Sequence, residues 1–310
     1  PGIVMSPSRA ILSVAVWAPG IVRATDRLVI GRAAAPRRGI VSRLEERSSS
    51  AARAGRAPRP RPAGPSVRAA WAWENRKASN RWYWAALAAL CALGMAGSWY
   101  RYTSFRAEFD AQGTTWLAVW SQATLLPTML FLPLLVAALT AQTAAGEHQG
   151  RNWQRMSANR LQGAMVAGKL LHMAQTALLT ALVLLGEFIA TGLLLGFDPA
   201  GLGPYAARLV PVALSILAVE VFVAWLGVVM TSFASVMSTV LVATIAGCAV
   251  TLIVPPVSAL YPLSLMTAAC TSRDPGSIAS MGSIALASAI AAAWALVWTT
   301  ALRRAAGRVS

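Results

Sequence analysis

The sequence has few charged residues for its length. Asp, Glu, Lys and Arg make up 12% of its 310 residues, whereas an ordinary soluble domain uses about 25%. Hydrophobic residues make up 56% of the chain. A chain of this composition has too little charge to cover a water-facing surface, which excludes most soluble architectures and favours a membrane protein.

Histidine and cysteine are also scarce. The chain has two histidines, His148 and His172, and three cysteines, Cys91, Cys248 and Cys270. The cysteines are far apart, form no Cys-x-x-Cys pair and have no histidine beside them, so neither a disulfide framework nor a zinc site is indicated. We therefore predict no metal site and no cofactor on this chain, with each cysteine in apolar packing.

Acidic residues number 11 against 27 Lys and Arg, and the basic excess is uneven. Residues 1–81 carry 16 basic and 4 acidic residues, whereas residues 82–310 carry 11 and 7. Residues 1–66 are rich in Arg, Pro and Ala, with too few large apolar residues to offset the entropy of ordering. We predict that 1–66 is disordered or an over-extended N-terminus, with the native start near Val67, and that 67–310 is the folded domain. The basic segment lacks the interleaved aromatic residues of a nucleic-acid-binding module, so no nucleic-acid partner is expected.

Six apolar stretches each approach the roughly 20 residues that cross a hydrocarbon core. They are Trp82–Tyr100, Thr115–Thr140, Leu170–Gly196, Leu209–Met230, Met237–Pro255 and Ser277–Leu302. The expected fold is an all-α membrane protein with six transmembrane helices. Pro127, Pro133 and Pro211 should kink the second and fourth of these helices, or leave backbone carbonyls free.

Lys and Arg residues near the spans predict the orientation. One side carries Arg68, Arg76, Lys77, Arg81, Arg151, Arg155, Arg160, Lys169, Arg303, Arg304 and Arg308, and the other carries Arg101, Arg106, Arg208 and Arg273. Because cytoplasmic loops are enriched in basic residues, we expect both termini on the cytoplasmic side of the cell membrane.

A short segment before the first span mixes tryptophan with basic residues. Trp71 and Trp73 stand close to Arg76 and Lys77. This mixture is typical of a helix in the membrane interface, where indole rings lie at headgroup depth and cations meet anionic lipid. A plain juxtamembrane flank is the alternative.

Residues 256–276 form an unusual connection between the fifth and sixth spans. They are too apolar for an exposed loop and too often interrupted by proline for another span. We expect an outer re-entrant segment, because irregular backbone at membrane depth must be covered by protein.

Two carboxylates fall inside the predicted spans. Glu187 lies in the third span and Glu220 in the fourth, and no Lys or Arg lies in any of the six to pair with them. An acidic side chain at this depth costs a few kcal/mol on insertion scales, which makes it a functional candidate. Three interpretations stay open: the two residues line a polar translocation path, they are protonated, or they make structural hydrogen bonds to Ser and Thr of neighbouring helices.

The stretch Gly163–Leu170 nearly matches a phosphate-binding loop, G-x-x-x-x-G-K-[ST]. Leu170 takes the place of the magnesium-binding hydroxyl, and polar residues precede the motif where a buried strand is needed. We interpret the match as coincidental and expect no nucleotide hydrolysis by this chain.

The loop 141–169 between the second and third spans is the most informative segment. A turn at 146–150 precedes a polar helical stretch at 151–162, which carries Trp153 among charged residues. A tryptophan in such a place needs a surface to dock on. The alternative is that Trp153 is anchored among lipid headgroups.

This loop resembles a known family. The turn Glu147–Trp153 (EHQGRNW), the element Ser157–Arg160 (SANR) and the pair Gly168-Lys169 are similar to the permease subunits of type-2 ATP-binding-cassette exporters. More narrowly, they are similar to the permeases of lantibiotic immunity and export systems in Gram-positive bacteria. The resemblance covers about residues 68–310. Family members often carry Pro before the Ser/Arg element, where this chain has Met156 and Ser157.

The resemblance implies a function and a set of partners. The chain would be half of an exporter, acting as a homodimer or with a second permease subunit in the lipid bilayer. A separate ATPase subunit would bind ATP and Mg²⁺, and the cargo would be amphipathic or hydrophobic, such as a cationic peptide. The residues that would couple the permease to the ATPase are Glu147, His148, Arg151, Trp153, Arg155, Arg160 and Lys169.

A count of six spans by itself is compatible with two other classes of function. An intramembrane serine protease would need a Ser–His pair at membrane depth, but His172 stands at the start of the third span and no Gly-x-Ser-x-Gly element occurs. A membrane sensor or scaffold without transport activity is the second alternative, and it requires no ATPase partner.

Overall fold

A computed structural model describes residues 66–77, 80–159 and 161–308. These residues form helices and connecting turns, with no strand in the ranges given. The α-helices, numbered in chain order, are α1 (Val67–Lys77), α2 (Arg81–Ser104), α3 (Arg106–Ala111), α4 (Thr115–Leu126), α5 (Leu132–Gln149), α6 (Asn152–Ala158), α7 (Gln162–Leu194), α8 (Gly203–Ala207), α9 (Leu209–Val229), α10 (Phe233–Ile253), α11 (Pro255–Ser258), α12 (Leu265–Ala269) and α13 (Met281–Arg308). The predictions for residues 1–65 and for Arg160 lie outside the described residues.

In the described part of the chain, five helical segments are long enough and apolar enough to cross a membrane. They are Thr115–Gln149, Gln162–Leu194, Pro199–Val229, Phe233–Ile253 and Met281–Arg308. These segments cover the predicted second to sixth spans. The chain therefore has the helices of a multi-pass membrane protein.

The helix α2 corresponds to the predicted first span but is not one of those five segments. Its 24 residues extend about 36 Å at 1.5 Å per residue, which is long enough to cross a bilayer. Its apolar stretch is shortened by Trp82 and Trp84 at one end and by Trp99 and Tyr100 at the other. Such aromatic residues are typical of membrane interfaces. The predicted first span, and with it the total of six, stays a prediction.

The second span is one long helix that changes its hydrogen bonding at a proline. Pro127–Phe131 form a π turn between α4 and α5. The backbone N–H of Leu132 donates to the carbonyl of Pro127, five residues earlier. By contrast, Pro211 lies in the first turn of α9, where a missing N–H is tolerated, and α9 continues without a break.

The helix α9 lies at the centre of the bundle. It packs against α13, α7, α5 and α12, and 67% of its apolar segment is buried, compared with 11% for α13. A buried apolar helix at the centre, with peripheral helices that expose apolar side chains, is the arrangement expected when lipid surrounds the bundle.

Residues 256–276 fold into short helical pieces packed against the long helices. Met266 and Cys270 are fully buried. The indole N–H of Trp120 in α4 donates to the carbonyl of Cys270 at 2.7 Å, and the hydroxyls of Thr124 and Ser272 are 2.7 Å apart. The protein thus satisfies this irregular backbone from within, while its predicted re-entrant position in the outer leaflet stays a prediction.

Candidate coupling surface and ionic cluster

The informative loop forms a short helix between two long ones. The turn predicted at 146–150 is wrong for most of these residues, because α5 continues to Gln149 and the chain reverses only at Gly150 and Arg151. Arg151 has a left-handed backbone with φ of 49°. The polar helical stretch predicted after it is present as α6, and α7 begins at Gln162.

Trp153 of α6 is docked into its own chain. Its side chain is 3% exposed and packs in a cluster with Met165 and Met173 of α7, Val228 of α9 and Leu302 of α13. Trp153 thus docks on a surface formed by its own chain, and not among lipid headgroups. Trp153 therefore fixes α6 against three long helices, and its indole is not available to a partner.

The opposite face of α6 is exposed and basic. Gln154 and Arg155 of α6 are exposed, and so are Arg151 and Asn159, which flank its two ends. The four residues recur at the three- to four-residue spacing that places side chains on one side of a helix. The side chain of Asn159 donates to the carbonyl of Arg155 at 2.7 Å, which closes the end of α6. We call these four residues the coupling surface.

Beneath the coupling surface lies a cluster of four charged residues from α1, α5 and α7. The ammonium of Lys169 donates to Glu147 at 2.7 Å and to Glu74 at 3.3 Å. The ammonium of Lys77 donates to Glu147 at 2.5 Å and to Glu74 at 2.9 Å. We call Glu74, Lys77, Glu147 and Lys169 the ionic cluster; its two carboxylates and two ammonium groups balance in charge.

Three of the four side chains in the ionic cluster are shielded from solvent, whereas the side chain of Lys77 is 28% exposed. The side chains of Glu74, Glu147 and Lys169 are 4%, 3% and 11% exposed. Burial by itself lowers the pKa of Lys77, but hydrogen bonds and attraction from the Glu147 and Glu74 carboxylates outweigh it and raise the pKa above its ordinary value. A buried and mutually paired cluster holds α1, α5 and α7 in one arrangement, because loss of one partner leaves a buried charge uncompensated.

The helix α1 reaches the ionic cluster because α7 has a glycine where the two helices touch. A Cβ atom on Gly168 would lie 2.7 Å from the backbone of Ala70, closer than real Cβ contacts. The indole N–H of Trp71 donates to the Gln175 side chain at 3.0 Å, and Asn75 faces His172 at 3.3 Å. Gly168 is therefore the contact point that seats α1 on α7.

We expect Gly168→Ala to weaken the contact between α1 and α7, although alanine has a higher helix propensity than glycine. The added methyl group must push α1 away and lengthen the contacts of the ionic cluster. Thermal unfolding in detergent should show a lower midpoint for Gly168→Ala. Gly163→Ala is the matched control on α7, since its Cβ would meet nothing within 4 Å; an equal effect of both substitutions would contradict the close contact.

The other predicted site residues lie outside both the coupling surface and the ionic cluster. The Nε2–H of His148 donates to the carbonyl oxygen of Gly227 at 2.7 Å, which joins α5 to α9. Trp73 is 56% exposed, and Arg76 is also exposed. Glu187 is half-buried on α7, apart from the ionic cluster, and Glu220 is buried on α9.

Sequence reasoning missed Glu74 as a site residue. It is the acidic residue of α1 and stands three positions before Lys77, a spacing at which opposite charges pair on a helix. That spacing indicated a local pair on the helix surface. The contact of Glu74 with Lys169, 95 residues away, depends on tertiary packing and has no local signal.

The stretch that resembles a phosphate-binding loop lies inside a helix. Gly163–Leu170 falls within α7, which runs from Gln162 without a loop, so its backbone N–H groups do not form a phosphate cradle. Across residues 66–77, 80–159 and 161–308, no group of three or more His, Cys, Asp or Glu side chains is placed to hold a metal ion. No protein-family model matches the chain, and no curated protein matches its sequence.

Proposed function

We propose that the chain is the permease subunit of an ATP-binding-cassette exporter. The observation that carries the proposal is the coupling surface: an exposed, basic face on a short helix whose other face is anchored by Trp153. A helix that is exposed on one side and rigidly seated on the other can transmit a push from a partner into the bundle. Together with the resemblance of the Glu147–Trp153 turn, it supports docking of a separate ATPase.

The contacts of α6 define how a movement would spread. Trp153 touches α7, α9 and α13 through its apolar neighbours. Lys169 of α7 connects this helix to α5 and α1 through its ion pairs in the ionic cluster. Displacement of α6 by the ATPase would therefore shift several long helices together, as packed elements move as units.

The complete assembly follows from this role. The end of the bundle that carries α1 and α6 holds most of the Lys and Arg residues and would face the cytoplasm of a cell membrane. α2 would be the first of six spans, and the exposed Trp73 and Arg76 of α1 would meet lipid headgroups. A second copy or a second permease would complete the path for an amphipathic or hydrophobic cargo, with ATP and Mg²⁺ bound by the ATPase.

Charge reversal on the coupling surface tests the proposal. We expect Arg151→Glu together with Arg155→Glu to abolish co-purification of an ATPase from native membranes while the chain still inserts and folds. Arg304→Glu is the matched control, because Arg304 is an exposed arginine of α13 at the same end. An ATPase that stays bound to the double variant would contradict the coupling surface, and its absence from the wild type would favour the sensor or scaffold.

A further inference from the structure

A buried carboxylate on the central helix has no partner. Glu220 is 1% exposed, and within the described residues neither of its carboxylate oxygens has a hydrogen-bond partner. An ionised carboxylate in such a place is very unfavourable unless a positive charge or hydrogen bonds compensate it. The ionic cluster does not supply that charge, because its own two ammonium groups are matched by two carboxylates.

Glu220 lines a cavity of about 50 Å³ between the long helices. The same cavity is lined by Thr140 and Thr143 of α5 and by Thr176 of α7. Each of these hydroxyls donates its proton to a carbonyl one turn earlier on its own helix. The threonine oxygens are therefore left as acceptors, and the cavity combines one carboxylate with three hydroxyl oxygens.

The cavity reaches from Glu220 to the ionic cluster. Its ionisable lining residues besides Glu220 are Glu74, Glu147, Lys169 and His172. Glu74, Glu147 and Lys169 are paired with one another or with Lys77, and His172 faces Asn75. Tyr83 of α2 does not pair with Glu220, because its hydroxyl is hydrogen-bonded to Thr180.

We propose that Glu220 and the threonine-lined cavity bind one alkali-metal ion of the size of Na⁺. Hard cations take oxygen ligands, and a single carboxylate matches a single positive charge. The cavity of about 50 Å³ is large enough for an ion with one or two waters, because a cavity needs about 10–15 Å³ to hold one water molecule. A proton would also neutralise Glu220, and the comparison of salts and pH below distinguishes it from an alkali-metal ion.

This site is independent of the proposed function, because it needs neither an ATPase nor a cargo. The test therefore uses the full chain alone, purified in detergent. Thermal unfolding is followed by tryptophan fluorescence in NaCl or in N-methylglucamine chloride, at one pH and one ionic strength. We expect saturating Na⁺ to raise the midpoint by about 3–5 °C, and we expect the rise to disappear in Glu220→Gln.

Two further variants keep the result interpretable. Glu187→Gln, at a half-buried carboxylate away from the cavity, should retain the full shift with Na⁺. Thr176→Val keeps the carboxylate but removes one oxygen, and should raise the Na⁺ concentration for half the shift about tenfold.

Saturable binding of ²²Na⁺ to the wild type, at one ion per chain, gives the direct measurement if Glu220→Gln does not fold. Equal midpoints in both salts, with a pH dependence that Glu220→Gln abolishes, would show a proton alone and overturn the proposal.

Discussion

Lys169→Met should lower the free energy of unfolding by about 3–5 kcal/mol, the cost of leaving a buried charge without its partner. Lys169 contacts both carboxylates of the ionic cluster. Its removal leaves Glu74 and Glu147, each nearly fully buried, with Lys77 as their one remaining ammonium in the described structure. Denaturant or thermal unfolding of the purified chain in detergent measures the loss.

Two companion variants isolate the role of charge. Glu147→Gln combined with Lys169→Met should recover much of the loss, because the pair Glu74 and Lys77 then balances by itself. Arg106→Met removes a partner from an exposed pair, Arg106 with Asp110, whose side chains are 64% and 47% exposed, and should cost less than about 1 kcal/mol. Equal losses for Lys169→Met and Arg106→Met would show that the ionic cluster does not hold the helices together.

Trp153→Ala should also destabilise the chain by about 3–5 kcal/mol, the usual cost of truncating a buried large aromatic residue. The cavity left behind would lie between α6, α7, α9 and α13, which all contribute to the apolar cluster around Trp153. The indole N–H has no hydrogen-bond partner among the described residues, so Trp153→Phe should cost much less.

Trp73→Ala serves as the control for Trp153→Ala. Trp73 is 56% exposed, so its truncation should change the free energy of unfolding by less than about 1 kcal/mol. This comparison also bears on function. Any loss of ATPase coupling in Trp153→Ala would include a structural part, whereas Arg151 and Arg155 can be changed without disturbing the core.

The long helices could be predicted from the sequence because their signal is local. Runs of apolar residues near Thr115, Leu170 and Leu209 exceed what a soluble helix carries, and their ends are marked by polar or charged residues. The helices extend beyond the predicted second and third spans at the end facing α6, since α5 continues to Gln149 and α7 starts at Gln162. Polar helix turns beyond an apolar stretch cannot be recognised by hydropathy.

The ionic cluster and the cavity could not be predicted in the same way. Glu147 is 70 residues from Lys77 and 22 from Lys169, and no periodicity connects such positions. Gly168 belongs to the Gly168-Lys169 pair that carries the family resemblance, but the close approach of α1 that it permits depends on tertiary packing and has no local signal. Glu220 was recognised as costly, while the threonines that share its cavity look like ordinary residues of apolar helices.

The most direct test of the permease assignment is site-specific photo-crosslinking from the coupling surface in native membranes. In one variant a photoreactive amino acid replaces Arg155. In a second variant it replaces the exposed Arg106, the first residue of α3, which is well away from α6 in sequence and predicted to face the other side of the membrane. We predict that the probe at 155 crosslinks to a protein with both nucleotide-binding motifs of an ATP-binding-cassette ATPase, and that the probe at 106 does not. Crosslinking at 155 to lipid alone, with the chain folded, would contradict the account.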